Sequence, residues 1–365
     1  MKVKGNRKQL LEAMTLAQTI VPVKPVQPIL NNVKLTAADN QVEILATDWE
    51  VSLRYKADMV EVMEDGTAIL PARQFADILR KLPDESVTFA VEDRILTLSK
   101  EHDYFKVQGD DPEEFPEVPS FREEGVFEVD PATFSDMLKK TMFAAAKEKM
   151  RYALNGVFFS VEGNSFTMVA TDGKRLAKIK RRIKGKKGLK VDAIVPTKGV
   201  ALLEKLVAAE TEPVKISMTE TLCMAQTKNA TLASRLVEGQ FPKYEDVIPK
   251  EMTKKIELPR ATFLALVDQA STFTSTESMA VKLSLLENKL VLSSQAPDLG
   301  EAKVAMTVEY SGEPLEMGFN PAYLKEVLSV MSKEKFTFEL KERTSPGIIS
   351  DDDDYLYVVM PVNIL

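Results

Sequence analysis

Cysteine and histidine each occur once in this chain of 365 residues. Cys223 alone cannot close an internal disulfide, which suits a reducing compartment. His102 alone rules out any site with two histidine ligands and leaves a zinc centre without its usual donors. A His-based triad would have only that residue to use. No apolar run approaches the ~20 residues a membrane helix needs. The opening Met1-Lys2-Val3-Lys4-Gly5 has no apolar signal region behind it, so a cytoplasmic protein without membrane contact is expected. Nucleophile elbow, phosphate loop and dinucleotide fingerprint are missing. No catalytic residue, no cofactor and no metal site is therefore expected. Aromatic residues make up 7% and do not interleave with basic ones, which argues against stacking on single-stranded bases.

Hydrophobic residues make up 44% and charged residues 28%, the range of an ordinary globular chain long enough for two or three domains. The net charge of −7 excludes a chain that is basic all over, yet leaves room for a basic face within an acidic whole.

Internal repeats dominate the sequence. Ile69-Leu70-Pro71-Ala72-Arg73-Gln74-Phe75 is similar to Ile194-Val195-Pro196-Thr197-Lys198-Gly199-Val200 and to Gly318-Phe319-Asn320-Pro321-Ala322-Tyr323-Leu324. Each opens an amphipathic helix, with apolar faces of Phe75, Ile78 and Leu82, then Val200, Leu203 and Val207, then Leu324, Val327 and Met331. A second set of helices follows Gly5, Val129 and Leu258, with the apolar trios Leu10, Ala13 and Met14; Phe134, Met137 and Leu138; and Phe263, Leu266 and Val267. The middle one is expected over 131–146, with Asp130-Pro131 as its start signal. Strands repeat too. Val42-Glu43-Ile44-Leu45-Ala46-Thr47-Asp48 matches Ser165-Phe166-Thr167-Met168-Val169-Ala170-Thr171-Asp172, while the third copy, 289–295, keeps the strand and loses the Thr-Asp turn. Residues 87–91 and 95–99 read as a hairpin. The chain is thus three copies of one α+β unit, each with two helices packed on antiparallel sheet. Domains are expected at 1–122, 123–252 and 253–365.

Arg73 and Arg80 project away from the apolar face of their helix, and Lys198 and Lys205 repeat those positions in the second copy. Lys139, Lys140, Lys147 and Lys149 add charge on or after the 131–146 helix. The pattern fits either a solvated helix face or a surface for nucleic-acid backbone without base readout. Thr171-Asp172-Gly173-Lys174 reads as a hairpin turn. Residues 351–354, all Asp, read as a solvated loop rather than a calcium loop. The basic run 178–187 reads as an exposed strand edge kept soluble by charge.

Together these segments resemble the bacterial sliding clamps, the beta subunits of DNA polymerase III. The strings that carry the resemblance are Pro28-Ile29-Leu30-Asn31-Asn32, Ala46-Thr47-Asp48, Leu70-Pro71-Ala72-Arg73 and Arg151-Tyr152-Ala153-Leu154-Asn155-Gly156, followed by Ala170-Thr171-Asp172-Gly173-Lys174-Arg175-Leu176, Val195-Pro196-Thr197-Lys198-Gly199-Val200, Phe241-Pro242 and Tyr357-Val358-Val359-Met360-Pro361-Val362. They span the whole chain in order. The resemblance implies a clamp fold of three repeated domains, with two chains closed head to tail into a ring around double-stranded DNA. It implies partners: a second copy of the chain, the polymerase alpha subunit, the clamp loader and other proteins carrying clamp-binding motifs. DNA contacts would come from Lys24, Arg73, Lys149, Tyr152 and Lys198. A pocket for a partner's peptide would include Leu154, Thr171, Gly173, Lys174, Arg175, Leu176, Pro242, Val247, Asn320, Tyr323, Val358 and Met360. The dimer seam would join Phe105 and Lys106 to Thr272, Phe273 and Glu301. The chain departs from the family at Lys174, where many members have His, at Asp246 where Arg is common, and at Pro346 where Ser is common. Ala153 stands where some members have a second Tyr, and Val362-Asn363-Ile364-Leu365 lacks the frequent Arg before the last Leu. Two other classes compete: an enzyme using the Asp-rich stretch or the Thr-Asp turns, and a monomeric scaffold that binds nucleic acid without encircling it.

Overall fold

The computed structural model describes residues 1–363 apart from 23, 25, 101, 102, 148–151, 186, 187, 275–279, 297, 298 and 353, and apart from the side chains of 99, 100, 103 and 152. His102 and Lys149 therefore lie outside the described residues. Six α-helices occur among those described: α1 (Arg7–Ile20), α2 (Ala72–Lys81), α3 (Pro131–Met142), α4 (Thr197–Val207), α5 (Arg260–Ala270) and α6 (Pro321–Val330). They come as two per repeat, at the expected places.

The helices form because an apolar face is offered at helical spacing and their ends are signalled. The Asn6 side chain caps α1 by accepting from Gln9 N at 3.0 Å. Asn320 caps α6 by accepting from Ala322 N at 2.9 Å, with Pro321 in the first turn. The trios expected on α1, α3 and α5 are all buried. The face of α2 is rotated from expectation: Ala72, Phe75, Ala76 and Leu79 are buried, while Ile78 and Leu82 are only half-buried. On that face Phe75 meets Phe89 edge-on at 5.6 Å. Helix α3 is shorter than the expected 131–146; it ends at Met142, and Ala144 and Ala145 continue as a turn.

The chain divides into two compact units, and the division does not follow the repeats. Unit 1 is 1–135 with 183–236; unit 2 is 136–182 with 237–365. In unit 1 one sheet runs Val60–Glu64, Lys2–Asn6, Ser86–Glu92, Ile95–Lys100, Asp103–Gln108. Its hairpin between Glu92 and Ile95 turns through Asp93 and Arg94, both left-handed. A second sheet runs Phe127–Val129, Val214–Met218, Leu222–Gln226, Ala230–Arg235, Val51–Ala57, Gln41–Thr47, Asn32–Ala38, Gly66–Pro71. The first and second repeats are thus joined by a strand pairing, Ala230–Arg235 on Val51–Ala57. In unit 2 a sheet runs Gly156–Glu162, Ser165–Thr171, Arg175–Arg182, Tyr355–Val359, Gly347–Asp352, Lys335–Leu340, Lys254–Pro259. The second and third repeats are joined in the same way, Arg175–Arg182 on Tyr355–Val359. The last sheet runs Gly300–Thr307, Lys289–Ala296, Val281–Leu286, Leu315–Phe319.

Two expectations are corrected here. The basic run is a strand edge only in part: Lys178 and Ile179 are paired on both sides, whereas Lys180, Arg181 and Arg182 are in ladder register with one neighbouring strand alone. The Asp stretch is no solvated loop: Asp351 and Asp352 end the strand Gly347–Asp352, and Asp351 is buried. Its Oδ2 lies 3.5 Å from Lys140 Nζ, which also approaches Asp136. Lys140 is therefore 2% exposed and adds nothing to a basic surface. Among the described residues no helix is long and apolar enough to cross a membrane, and no cluster suited to a metal occurs.

Candidate functional site

All the residues proposed for the peptide pocket fall in unit 2. Its floor is set by strand register. Thr171 lies opposite Leu176, and Leu176 opposite Val358. One row further out Phe158 lies opposite Val169, Val169 opposite Lys178, and Lys178 opposite Leu356. Directly opposed residues share a sheet face, so Val169, Leu176 and Val358 form one buried cluster. Phe158, Phe241, Tyr244, Ile248 and Leu356 pack against it. Phe158 and Phe241 stack at 5.0 Å, and Pro242, next along the chain, is exposed. Val247 and Met360 stay exposed beside this core, at 54% and 41%. Leu154 is buried in the turn that leads into Gly156–Glu162.

The polar side of the site is built on the Thr-Asp turn. Thr171 Oγ1 donates to the Arg175 carbonyl at 2.6 Å and accepts from Gly173 N at 3.1 Å. Asp172 Oδ1 accepts from the Lys174 and Arg175 amides at 2.9 and 3.0 Å. Gly173 takes φ +85°, which is why glycine suits it. Met360 N donates to the Lys174 carbonyl at 2.9 Å, which fastens the C-terminal segment to the turn. Asn320 and Tyr323 enter through the first turn of α6.

Arg175 is the most committed group. Its guanidinium bonds Glu326, contacts Asp172 at 3.1 Å and donates to the Phe143 carbonyl at 2.7 Å. It lies over the Tyr323 ring at 4.4 Å, and only 3% of the side chain is exposed. Burial raises the Tyr357 phenol well above its ordinary range, against the pull of Arg175, so its hydroxyl stays a donor to the Tyr323 carbonyl at 3.1 Å. Glu326 and Phe143 were not singled out from the sequence, and Tyr357 entered only as part of the C-terminal string; nothing local marks their role beside Arg175.

The residues assigned to DNA are less gathered. Lys24 and Arg73 are exposed in unit 1, and Arg73 borders a cavity of about 620 Å³ with Gln18, Asn32 and Asp110. The side chain of Tyr152 lies outside the described residues. Lys198 stands in the first turn of α4, where its ammonium bonds Asp48 and lies 3.7 Å from Glu50. Arg80 pairs with Asp77 on its own helix.

Three of the five residues expected at the seam lie on outermost strands. Phe105 and Lys106 belong to Asp103–Gln108, at the end of its sheet. Glu301 belongs to Gly300–Thr307, at the end of another. Thr272 and Phe273 form a turn after α5, and the Phe273 ring stands 3.1 Å from where a side chain on Gly300 would begin.

Comparison with known proteins agrees over the whole chain. Family models described as DNA polymerase III beta subunit match three times: the N-terminal domain over 1–119, the central domain over 128–243 and the C-terminal domain over 245–363. A beta sliding clamp of Chlamydia muridarum is 30% identical over 367 residues, covering 100% of this chain and 99% of that protein. The crystal structure of the DNA polymerase III subunit beta from Pseudomonas aeruginosa superposes with a TM-score of 0.95 at 30% identity, with all of both chains covered. A sliding clamp of the same organism bound to griselimycin gives 0.95 at 30% identity, again with all of both chains covered. Three repeats, their order and the full-length match lead to one conclusion: the chain belongs to the family of the DNA polymerase III beta subunit, the sliding clamps, a processivity factor rather than an enzyme.

Proposed function

We propose that two copies of this chain close head to tail into a ring around double-stranded DNA in the cytoplasm, and that the ring tethers the polymerase alpha subunit, the clamp loader and other motif-bearing proteins. The domains of that ring are 1–122, 123–252 and 253–365. The observation that carries the reading is an unfinished pattern of strand pairing. Val51–Ala57, Arg175–Arg182 and Gly300–Thr307 are equivalent strands of the three repeats, and the first two are each paired by the last hairpin strand of the following repeat. Among the described residues the third such strand is unpaired on its outer side, and so is the equivalent hairpin strand of the first repeat, Asp103–Gln108. Joining those two edges between chains repeats the same junction and closes a twofold assembly. Phe105, Lys106, Thr272, Phe273 and Glu301 are the seam in this reading.

Backbone contacts in the hole read no sequence, so the ring slides. Lys24, Arg73, Lys149, Tyr152 and Lys198 carry those contacts, with Lys198 sharing its charge with Asp48. The apolar floor of Leu176 and Val358, with Met360 exposed beside it, receives the partner's peptide. A peptide-binding role is supported by the griselimycin-bound relative, which has the same fold. The direct test loads the protein on nicked circular DNA and then linearises the circle. Retention on the circle and loss on linearisation is the expected outcome; equal retention on both forms refutes encirclement.

A further inference from the structure

The repeated architecture allows the candidate pocket to be compared with its counterpart in unit 1, residue for residue. Lys178 of unit 2 lies opposite Val169 and Leu356; Arg54 of unit 1 lies opposite Leu45 and Thr231 in the equivalent strands. Both cations reach toward equivalent neighbours. Arg54 donates to the Val118 carbonyl at 2.9 Å, three residues after Phe115. Lys178 Nζ stands 5.5 Å from the centre of the Tyr244 ring, three residues after Phe241. The difference lies in the counter-charge. Arg54 bonds the carboxylate of Glu43. The residue at the place of Glu43 in unit 2 is Thr167, which lies opposite Lys180 as Glu43 lies opposite Lys56. Lys178 forms no ion pair among the described residues, although Glu245 and Asp246 follow Tyr244 along its turn.

We infer that Lys178 is a specificity-determining residue of the peptide pocket, and that the peptides this clamp prefers carry a carboxylate close to their apolar anchor. The inference rests on the pocket assignment made above. Lys178 shares a sheet face with Leu176 two residues away along the strand, a separation of about 6.6 Å. An extended peptide whose apolar side chain packs on Leu176 and Val358 brings the side chain two residues before or after it over Lys178. A carboxylate there completes the pair that Glu43 completes in unit 1. The Tyr244 ring beneath restrains the ammonium, and the half-buried site screens the pair less than open water does. Lys174 adds a second exposed cation at the turn. The recognised class is an acidic linear peptide, and an unmodified Glu or Asp suffices.

The test uses the full-length protein and a fluorescein-labelled peptide from a polymerase tail, in matched versions with Glu or Gln two residues before or two residues after its apolar anchor. The Glu version should bind about threefold to tenfold more tightly than its Gln match at low salt, from one ion pair of this exposure. The ratio should fall toward one near ~1 M salt. Lys178→Gln should bring the Glu-to-Gln ratio to about one, Lys178→Arg should keep it, and Lys178→Glu should invert it. A ratio of one in the wild type at both positions, with both peptides still bound and both displaced by Met360→Ala, refutes the inference and leaves the pocket standing. Failure of every peptide to bind the wild type refutes the pocket assignment and this inference with it. A Glu preference that survives in Lys178→Gln assigns the selectivity to another cation and also refutes it.

Discussion

Removal of the Arg175 side chain would take away the donor that Glu326, Asp172 and the Phe143 carbonyl share, leaving Asp172 its turn amides and Glu326 the ammonium of Lys147 at 3.8 Å. Asp172 and Glu326 retain some access to water, which limits the cost. Arg175→Met should therefore destabilise the protein by about 2–3 kcal/mol, the range for hydrogen bonds to charged groups. Arg175→Lys should recover little, because an ammonium cannot reach three acceptors in the plane of a guanidinium while lying on Tyr323. Urea unfolding of the three proteins decides the point; an unchanged midpoint in Arg175→Met would remove the group from the framework of the site. Gly173 gives a cleaner case. No heavy atom lies within 4 Å of where its side chain would start, so Gly173→Ala adds no clash and should cost only the backbone penalty at φ +85°, about 1 kcal/mol. Its counterpart is Trp49 at φ +75°, held by the same turn: Trp49 N donates to Thr47 Oγ1, and Asp48 Oδ1 accepts from the amides of Glu50 and Val51. The turn was legible in the sequence because Thr-Asp followed by glycine is a local signal. The partners of Arg175 were not, because Glu326 is 151 residues away and only tertiary packing brings it near.

Among the elements, the strand ending at Asp352 departs most from its sequence. A run of four aspartates looks like a solvated loop, yet Asp351 meets Lys140 of α3, and Asp352 and Asp354 meet Arg181 at 3.1 and 3.9 Å. Asp136 and Lys140 are four apart on α3, a spacing at which a helix brings an ion pair together, but nothing local says that the pair is covered. Burial pushes the Asp352 carboxyl up, but Arg181, the amides of Asp354 and Tyr355, and Lys140 together hold it below the ordinary aspartate value. A carboxyl with a depressed folded pKa adds stability that is present above its unfolded pKa and is lost as pH falls through the folded one. The protein should therefore lose stability below about pH 4, and Arg181→Met should flatten that part of the profile while lowering stability at neutral pH. Thermal unfolding between pH 6 and pH 3 measures both; parallel profiles would show that Asp352 does not contribute. The helices were the most legible elements, since five of their six apolar faces are where the spacing puts them. The pocket floor was less so. Its asymmetry is a matter of strand register: Leu176 opposite Val358 in unit 2, against Ser52 opposite Ala233 in unit 1. Only the aligned strands reveal that this one row is apolar at one junction and small at the other, where the neighbouring row still carries Leu45 in an apolar cluster.

For the whole molecule, the threefold repeat was legible but the compact units were not, because strand pairing joins neighbouring repeats across their sequence boundaries. The central repeat is shared between the units, and each described junction lies inside one of them. This separates two properties that a ring might be thought to couple. The residues proposed for the pocket lie within unit 2, whereas the proposed seam uses outer strands from both units. Phe273, packed against Gly300 at the start of such an edge, is the apolar anchor of the seam in this reading. Truncating a partly covered aromatic at an interface centre costs about 2 kcal/mol or more, at least a tenfold weakening of association. Phe273→Ala should therefore shift sedimentation toward the monomer at low micromolar concentration and shorten retention on circular DNA. The same variant should bind a polymerase-tail peptide as the wild type does, since none of the groups around Leu176, Val358 and Met360 belongs to the edge. Met360→Ala should behave the opposite way, with the dimer intact and peptide affinity down roughly tenfold, as expected for loss of one well-packed anchor. Sedimentation and peptide anisotropy on the same two preparations test the separation. A Phe273→Ala monomer that had lost peptide binding while keeping its thermal stability would show that the pocket depends on assembly, and the division into two independent sites would fail.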